Sequence, residues 1–226
     1  MIPLKDNIPS RKFPLFNYFL IFANTIIFFY EIFLPKNKLQ ELFLTQGFIP
    51  YYFFKNPINN LETLITSIFL HGGWIHFLGN MLYLYIFGDN VEDLLGHFSY
   101  LIFYFSAGII ASLTQALFSF SSKIPMIGAS GAIAGVLGIY FIFFPFARVL
   151  TLVPFFFFWQ IVPVPAFLFL FFWFFIQFFS GIFSLGINTQ GGVAFFAHIG
   201  GFLYGVFIGI LIRKRKIKKY LKYINL

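Results

Sequence analysis

The sequence predicts an all-α membrane protein, a bundle of six transmembrane helices with no soluble domain. Three observations carry that prediction. Of the 226 residues, 60% are hydrophobic and 10% charged, against about half and a quarter in a soluble domain. Six apolar runs approach the ~20 residues that cross a bilayer. The basic residues cluster beside those runs, as they do where charge fixes membrane orientation.

The runs follow in order. The first, about Phe13 to Leu34, comes after Lys5, Arg11 and Lys12 and lacks a small-residue cleavage site, so it reads as an uncleaved anchor. The second is about Trp74 to Phe87, extended upstream into "TLITSIFLHGG". The acidic "GDNVEDLLGH" then reads as a loop, with His97 a solvated residue in it. The third runs from Tyr100 to about Phe120 and the fourth from about Ser130 to Phe146. A long run, Leu150 to Phe183, is interrupted by "VPVP" at Val162 to Pro165. Proline disfavours continuous helix, so its latter half is the fifth. The sixth is about Val193 to Ile212. The chain thus divides into an N-terminal segment, 1–12, a helical domain, 13–212, and a basic tail, 213–226.

Charge narrows the function. The net charge of +8 would suit nucleic acid, but seven of the fifteen Lys and Arg lie in "RKRKIKKYLK", directly after the sixth run. A juxtamembrane cluster of this kind reads as an anchor on anionic lipid, with no nucleic-acid partner. With six spans, Lys5, Arg11, Lys12, Arg148 and the seven of the tail share one side, and Lys36, Lys38, Lys55 and Lys123 the other. The positive-inside rule then puts both termini in the cytoplasm. This compact form suits a bacterial inner membrane. The absence of Cys excludes disulfides, thiolate nucleophiles and Cys-ligated metals. The 40 Phe exceed what packing or an interfacial belt asks for, and no function is read into them.

The unusual polar residues converge at one depth. Spans two, four and six share a direction, and near their outer ends stand His71, His76 and Asn80, then Ser130, then His198. At 1.5 Å per residue His198 falls about 8 Å below the start of its span. Intramembrane polar residues are functional hypotheses by default. Ser130 sits in "IGASGAIAGVLG", and a hydroxyl becomes a nucleophile only when a base takes its proton. His198, in "AHIGGFLYG", is the better base, because Gly200, Gly201 and Gly205 bare one side of its helix as Gly131 and Gly135 bare the other. The last carboxylate side chain is Asp93, and Asp89, Glu92 and Asp93 lie on the wrong side. Glu31 and Glu62, nearer the outer face, are not deep in the spans that bear the chemistry. A catalytic Ser130 is therefore expected to work with a histidine alone, as a dyad. His76 and Asn80, four apart, share a face and can both donate to a developing oxyanion, beside the Ser130 amide at a helix N-terminus. His71 is structural or supporting.

Other readings of the same residues stay open at this point. Small residues also pack transmembrane helices with no chemistry, and His76 and Asn80 can bridge helices as polar glue. Zinc-protease spacing is absent, since Gly72 follows His71 and Phe77 follows His76. The soluble-hydrolase elbow needs a Gly where Ala132 stands. No metal or cofactor is called for. A transporter would carry charges or broken helices at mid-depth, where these runs have almost none.

Four motifs, "HGGWIHFLGNM", "FGDNVEDLLG", "GASGAIAG" and "AHIGGFLYG", resemble those of rhomboid intramembrane serine proteases, in family order, over about residues 45–210. The resemblance implies a six-helix, rhomboid-like bundle with its site open to water from the outer face. It implies hydrolysis of peptide bonds in or near a transmembrane segment of a membrane-protein substrate. Carried over, Ser130 is the nucleophile and His198 the general base. His76, Asn80 and the Ser130 backbone N–H are oxyanion donors, with His71, Gly128 and Gly131 supporting. Residues Phe48 to Ile65, within a loop of about 35–65, take the place of a membrane-embedded loop. One departure stands out: many relatives place an aromatic ring one turn after the nucleophile, where this chain has Ala134. The rival of another class is a non-catalytic rhomboid-like protein that binds transmembrane helices as a chaperone or adaptor. Such proteins lack the Ser or the His, and this chain has both.

Overall fold

The computed structural model describes residues 1–155, 158–185 and 192–224, and the side chains of the basic tail beyond Lys214 lie outside that description. A helix stands at each of the six expected runs. Strand β1 (Ile2–Lys5) leads into α1 (Leu15–Phe33). Short helices α2 (Lys36–Gln46), α3 (Pro50–Lys55) and α4 (Thr63–Thr66) then precede α5 (Trp74–Leu95) and α6 (His97–Phe118). Helix α7 (Ser130–Phe143) is followed by strands β2 (Arg148–Phe155) and β3 (Phe158–Pro165), then α8 (Ala166–Ser184) and α9 (Phe195–Ile224). Four of these, α1, α6, α8 and the Phe195–Lys214 part of α9, are long and apolar enough to cross a membrane.

Helix α7 is the hub. Every residue from Gly131 to Tyr140 is buried, between α5, α6 and α9. Its approach to α9 is glycine-made: a β-carbon on Gly201 would lie 2.1 Å from the Gly131 carbonyl oxygen, and one on Gly205 would lie 2.0 Å from that of Gly135. Any side chain there would drive the helices apart, so backbone-to-backbone packing takes the place of interdigitated side chains. Around this centre Leu84, Phe87, Tyr100, Tyr104, Leu137 and Tyr140 fill the core.

The all-α expectation is corrected by the segment after α7. Residues Arg148–Pro165 form an antiparallel hairpin, paired from Arg148↔Pro165 to Phe155↔Phe158, and β1 adds to β2 in the order β1-β2-β3. The sequence "VLTLVPF…FWQIVPVP" is rich in β-branched and aromatic residues. Its prolines fall where no ladder donor is needed: Pro163 and Pro165 on the edge strand, Pro154 beyond the reach of β1. An uninterrupted apolar run does not by itself separate strand from helix.

Two boundaries also move. Residues Gly88 to Leu95, expected as loop, continue α5, and Gly96 at φ 82 turns the chain straight into α6. Glu92 is buried there because it accepts the Phe16 and Asn17 amides at 3.0 and 2.7 Å, capping α1, and pairs with His97 Nδ1 at 2.5 Å. His97 is therefore a half-buried hydrogen-bond partner of a buried carboxylate, not a free surface residue. At the other end α5 does not extend upstream of Trp74, because Gly73 at φ 147 precedes it.

Candidate active site

The loop ahead of α7 is held from below and beside. Phe48 and Met126 exchange backbone hydrogen bonds of 3.0 and 2.8 Å, and the Gly128 amide donates to the Ser67 carbonyl at 2.9 Å. Gly128 adopts φ 123, a conformation that side-chain-bearing residues rarely hold. That turn delivers Ser130 as the first residue of α7, where amide hydrogens have no partner within the helix. The start of α9 is capped from a neighbour: Gln115 Oε1 on α6 accepts the Phe196 and Ala197 amides at 2.9 and 3.2 Å. His198 therefore stands in a first turn fixed by a side chain about eighty residues away.

The two termini meet. His198 Nε2 lies 2.8 Å from Ser130 Oγ, and His198 Nδ1 lies 2.7 Å from Gln177 Oε1 on α8. The Trp173 ring, one turn before Gln177, sits 5.9 Å from the imidazole at 33°. Sequence reasoning missed both α8 residues. The available signal was an amide and an indole four apart in a helix otherwise made almost wholly of Phe, Leu and Ile. Both flank the imidazole, while position 134, one turn after Ser130, is an alanine.

His76 and Asn80 face the same turn. A β-carbon on Gly128 would lie 2.6 Å from Cε1 and Nε2 of His76 and 3.6 Å from Asn80 Nδ2. The Gly72 amide donates to His76 Nδ1 at 3.4 Å, which leaves the ring proton on Nε2, the nitrogen beside Gly128. Asn80 Nδ2 is buried with no partner among the described residues. A buried donor left unpaired costs about 1–3 kcal/mol.

His71 takes no part in the Ser130 contact. Its amide donates to both oxygens of buried Glu31 on α1, at 3.1 and 3.2 Å, and its Nδ1 lies 3.2 Å from the Phe69 carbonyl. Its ring packs 5.2 Å from that of His76, so it backs the residue that faces Gly128. Gly131 serves packing: its β-carbon would meet Ala111 at 2.6 Å. A cavity of about 1260 Å³ opens onto the group, lined by His76, Asn80, Tyr83, Ser130, Trp173 and His198 among others.

The family model for the Rhomboid domain matches residues 59–215, well over half of the chain. Rhomboid protein 1, mitochondrial, of Saccharomyces cerevisiae is 29% identical over 80% of this chain and 49% of its own length. RHOMBOID-like protein 6, mitochondrial, of Arabidopsis thaliana is 33% identical over 68% of this chain and 44% of its own. Rhomboid-like protein 11, chloroplastic, of the same plant is 30% identical over 60% and 44%. The chain thus spans about half the length of these relatives or less. Their organelle names mean that a compact form does not by itself mark a bacterial inner-membrane protein. With the domain match extending from before α4 into α9, the chain belongs to the rhomboid family.

Proposed function

We propose that this chain is an intramembrane serine endopeptidase that hydrolyses peptide bonds in or near transmembrane segments of membrane-protein substrates. The observation that carries the reading is the 2.8 Å pairing of Ser130 Oγ with His198 Nε2 at the meeting of two helix N-termini. His198 accepts the Ser130 proton as Oγ attacks the scissile carbonyl carbon. The negative oxygen of the tetrahedral intermediate is met by the Ser130 amide, His76 Nε2–H and Asn80 Nδ2. His198 then gives its proton to the departing amine, leaving an acyl group on Ser130. Water, deprotonated by the same imidazole, attacks the acyl carbon, and the imidazolium returns that proton to Ser130 Oγ as the acyl–Oγ bond breaks.

The reading includes six membrane crossings, with residues 13–212 as the catalytic domain, residues 1–12 and 213–226 flanking it, and both termini on the positively charged side. Helix α5 supports this by its length of 22 residues, and α7 by its burial among neighbours. The 14 residues of α7 rise only about 21 Å, short of a ~30 Å hydrocarbon core. That shortfall supports a Ser130 set below the membrane surface, reached by water through the open cavity. Residues 48–65 support an interfacial loop, since Tyr52, Phe54, Ile58 and Leu61 are all exposed. Membrane lipid and a transmembrane substrate are the partners of this reading.

The test is covalent. A fluorophosphonate should label wild-type protein at Ser130, and Ser130→Ala and His198→Ala should each abolish cleavage of a reporter transmembrane substrate while remaining folded. Equal turnover by wild type and either variant removes the reading.

A further inference from the structure

We propose that Gln177 is the positioning residue for the Ser130–His198 pair, standing where serine triads carry a carboxylate. The inference rests on the protease reading. It goes beyond a dyad, because it assigns the imidazole a third partner on another helix.

The argument is one of proton placement. For His198 to take the Ser130 proton, Nε2 must be bare, so the ring's single proton sits on Nδ1. His198 is half-buried at the cavity wall, and that N–H is turned toward α8, where it needs an acceptor. Gln177 Oε1 lies 2.7 Å from Nδ1. The opposite amide orientation would present N–H₂ to Nδ1, force the proton onto Nε2 and disarm the base. In carboxylate triads the wrong tautomer costs about 10⁴ in kcat. Gln177 achieves the same selection without a charge, which suits a low-dielectric site where an unpaired carboxylate is costly. Among the described residues no carboxylate acts on the imidazole. His198 is faced by Ser130 from α7 and by Trp173 and Gln177 from α8. From α5 only His76 acts on it electrostatically among the described residues. Trp173 and Gln177 lie one turn apart on α8, so one helix face supplies both the ring contact and the acceptor.

Three variants and one spectroscopic readout test this. Gln177→Leu and Gln177→Met remove the acceptor at similar volume, and kcat on a reporter transmembrane substrate should fall about 10- to 100-fold, less than the ~10²–10⁴ expected for losing the base itself, with KM changed less than twofold. Gln177→Glu restores an acceptor and adds a charge. It should recover kcat to within about threefold of wild type and move the acid limb of the pH–rate profile up by about one pH unit. A packing role would instead leave Glu as impaired as Leu, with an unmoved profile. In [¹⁵N]histidine spectra, the signal lost in His198→Ala should show the Nδ1–H tautomer in wild type and a tautomer mixture in Gln177→Leu. Wild-type kcat in both apolar variants overturns the proposal, as does an unaltered tautomer in Gln177→Leu. If wild type neither cleaves nor labels, the protease reading fails by itself, and the tautomer comparison still decides what Gln177 does to His198.

Discussion

Gly128 and His76 are pressed together: the space a β-carbon on Gly128 would need is already held by Cε1 and Nε2 of the imidazole, 2.6 Å away. The same glycine sits at φ 123, so two independent constraints fall on one residue. A Gly128→Ala variant should pay a backbone strain of about 1–3 kcal/mol and also push His76 off the turn. Loss of one oxyanion donor costs about 10²–10³ in kcat. We expect a fall of that order in kcat with KM nearly constant, and a lowered thermal midpoint. A variant with wild-type kcat would show that His76 has no part in the chemistry.

Asn80 separates catalysis from packing. If its amide bridges helices, Asn80→Ala should destabilise the fold. Its Nδ2 has no partner among the described residues, so removing it discards an unpaired buried donor. The expected outcome is an unchanged or raised thermal midpoint together with a kcat lowered about 10²–10³-fold. A lower midpoint with unchanged kcat would support the bridging role.

These two predictions rest on residues legible in the sequence, and the contrast with Gln177 shows why. Ser130, His198, His76 and Asn80 are conspicuous because polar groups are rare in long apolar runs, and the glycines beside them mark which helix faces meet. The six helices follow from hydropathy for the same reason. Gln177 is one amide in an aromatic helix, and its meaning depends on a rotation about the helix axis that composition does not encode. Glu92 is a sharper case. Its acidic neighbourhood reads as a solvated loop, yet it is buried because α1 begins against it, 75 residues away in sequence. The β2–β3 hairpin was hidden by uniform apolarity, where periodicity carries no signal.

The glycine interface between α7 and α9 yields a graded prediction. At Gly205 a β-carbon would lie 2.0 Å from a backbone oxygen, whereas at Gly209 it would lie 3.1–3.4 Å from side-chain carbons of Ile142. Backbone cannot yield without separating the helices, but a side chain can shift by tenths of an ångström. Gly205→Ala should therefore lose folded protein or several degrees of thermal midpoint, together with fluorophosphonate labelling, since Ser130 and His198 ride on these helices. Gly209→Ala should leave both within error. Equal behaviour of the two variants would mean that the close approach is not what holds the pair together.

The N-terminal segment should respond to pH through Asp6, which accepts the Tyr140 hydroxyl beneath the bundle. Burial raises the Asp6 carboxyl above its ordinary value of 3.8. The folded state then favours the protonated form, so its contribution to docking is fullest below that value and is lost as pH rises through the raised one. Strand β1, which pairs Ile2 with Leu152 and Pro3 with Thr151, continues directly into Asp6. Its amides should exchange with solvent more slowly at acid pH than at neutral pH, measured by hydrogen exchange corrected for the intrinsic rate. Asp6→Asn keeps an acceptor for Tyr140 and removes the titration, so its protection should stay flat across the same range. A wild-type profile as flat as that of Asp6→Asn would mean that the carboxyl does not govern how the segment docks.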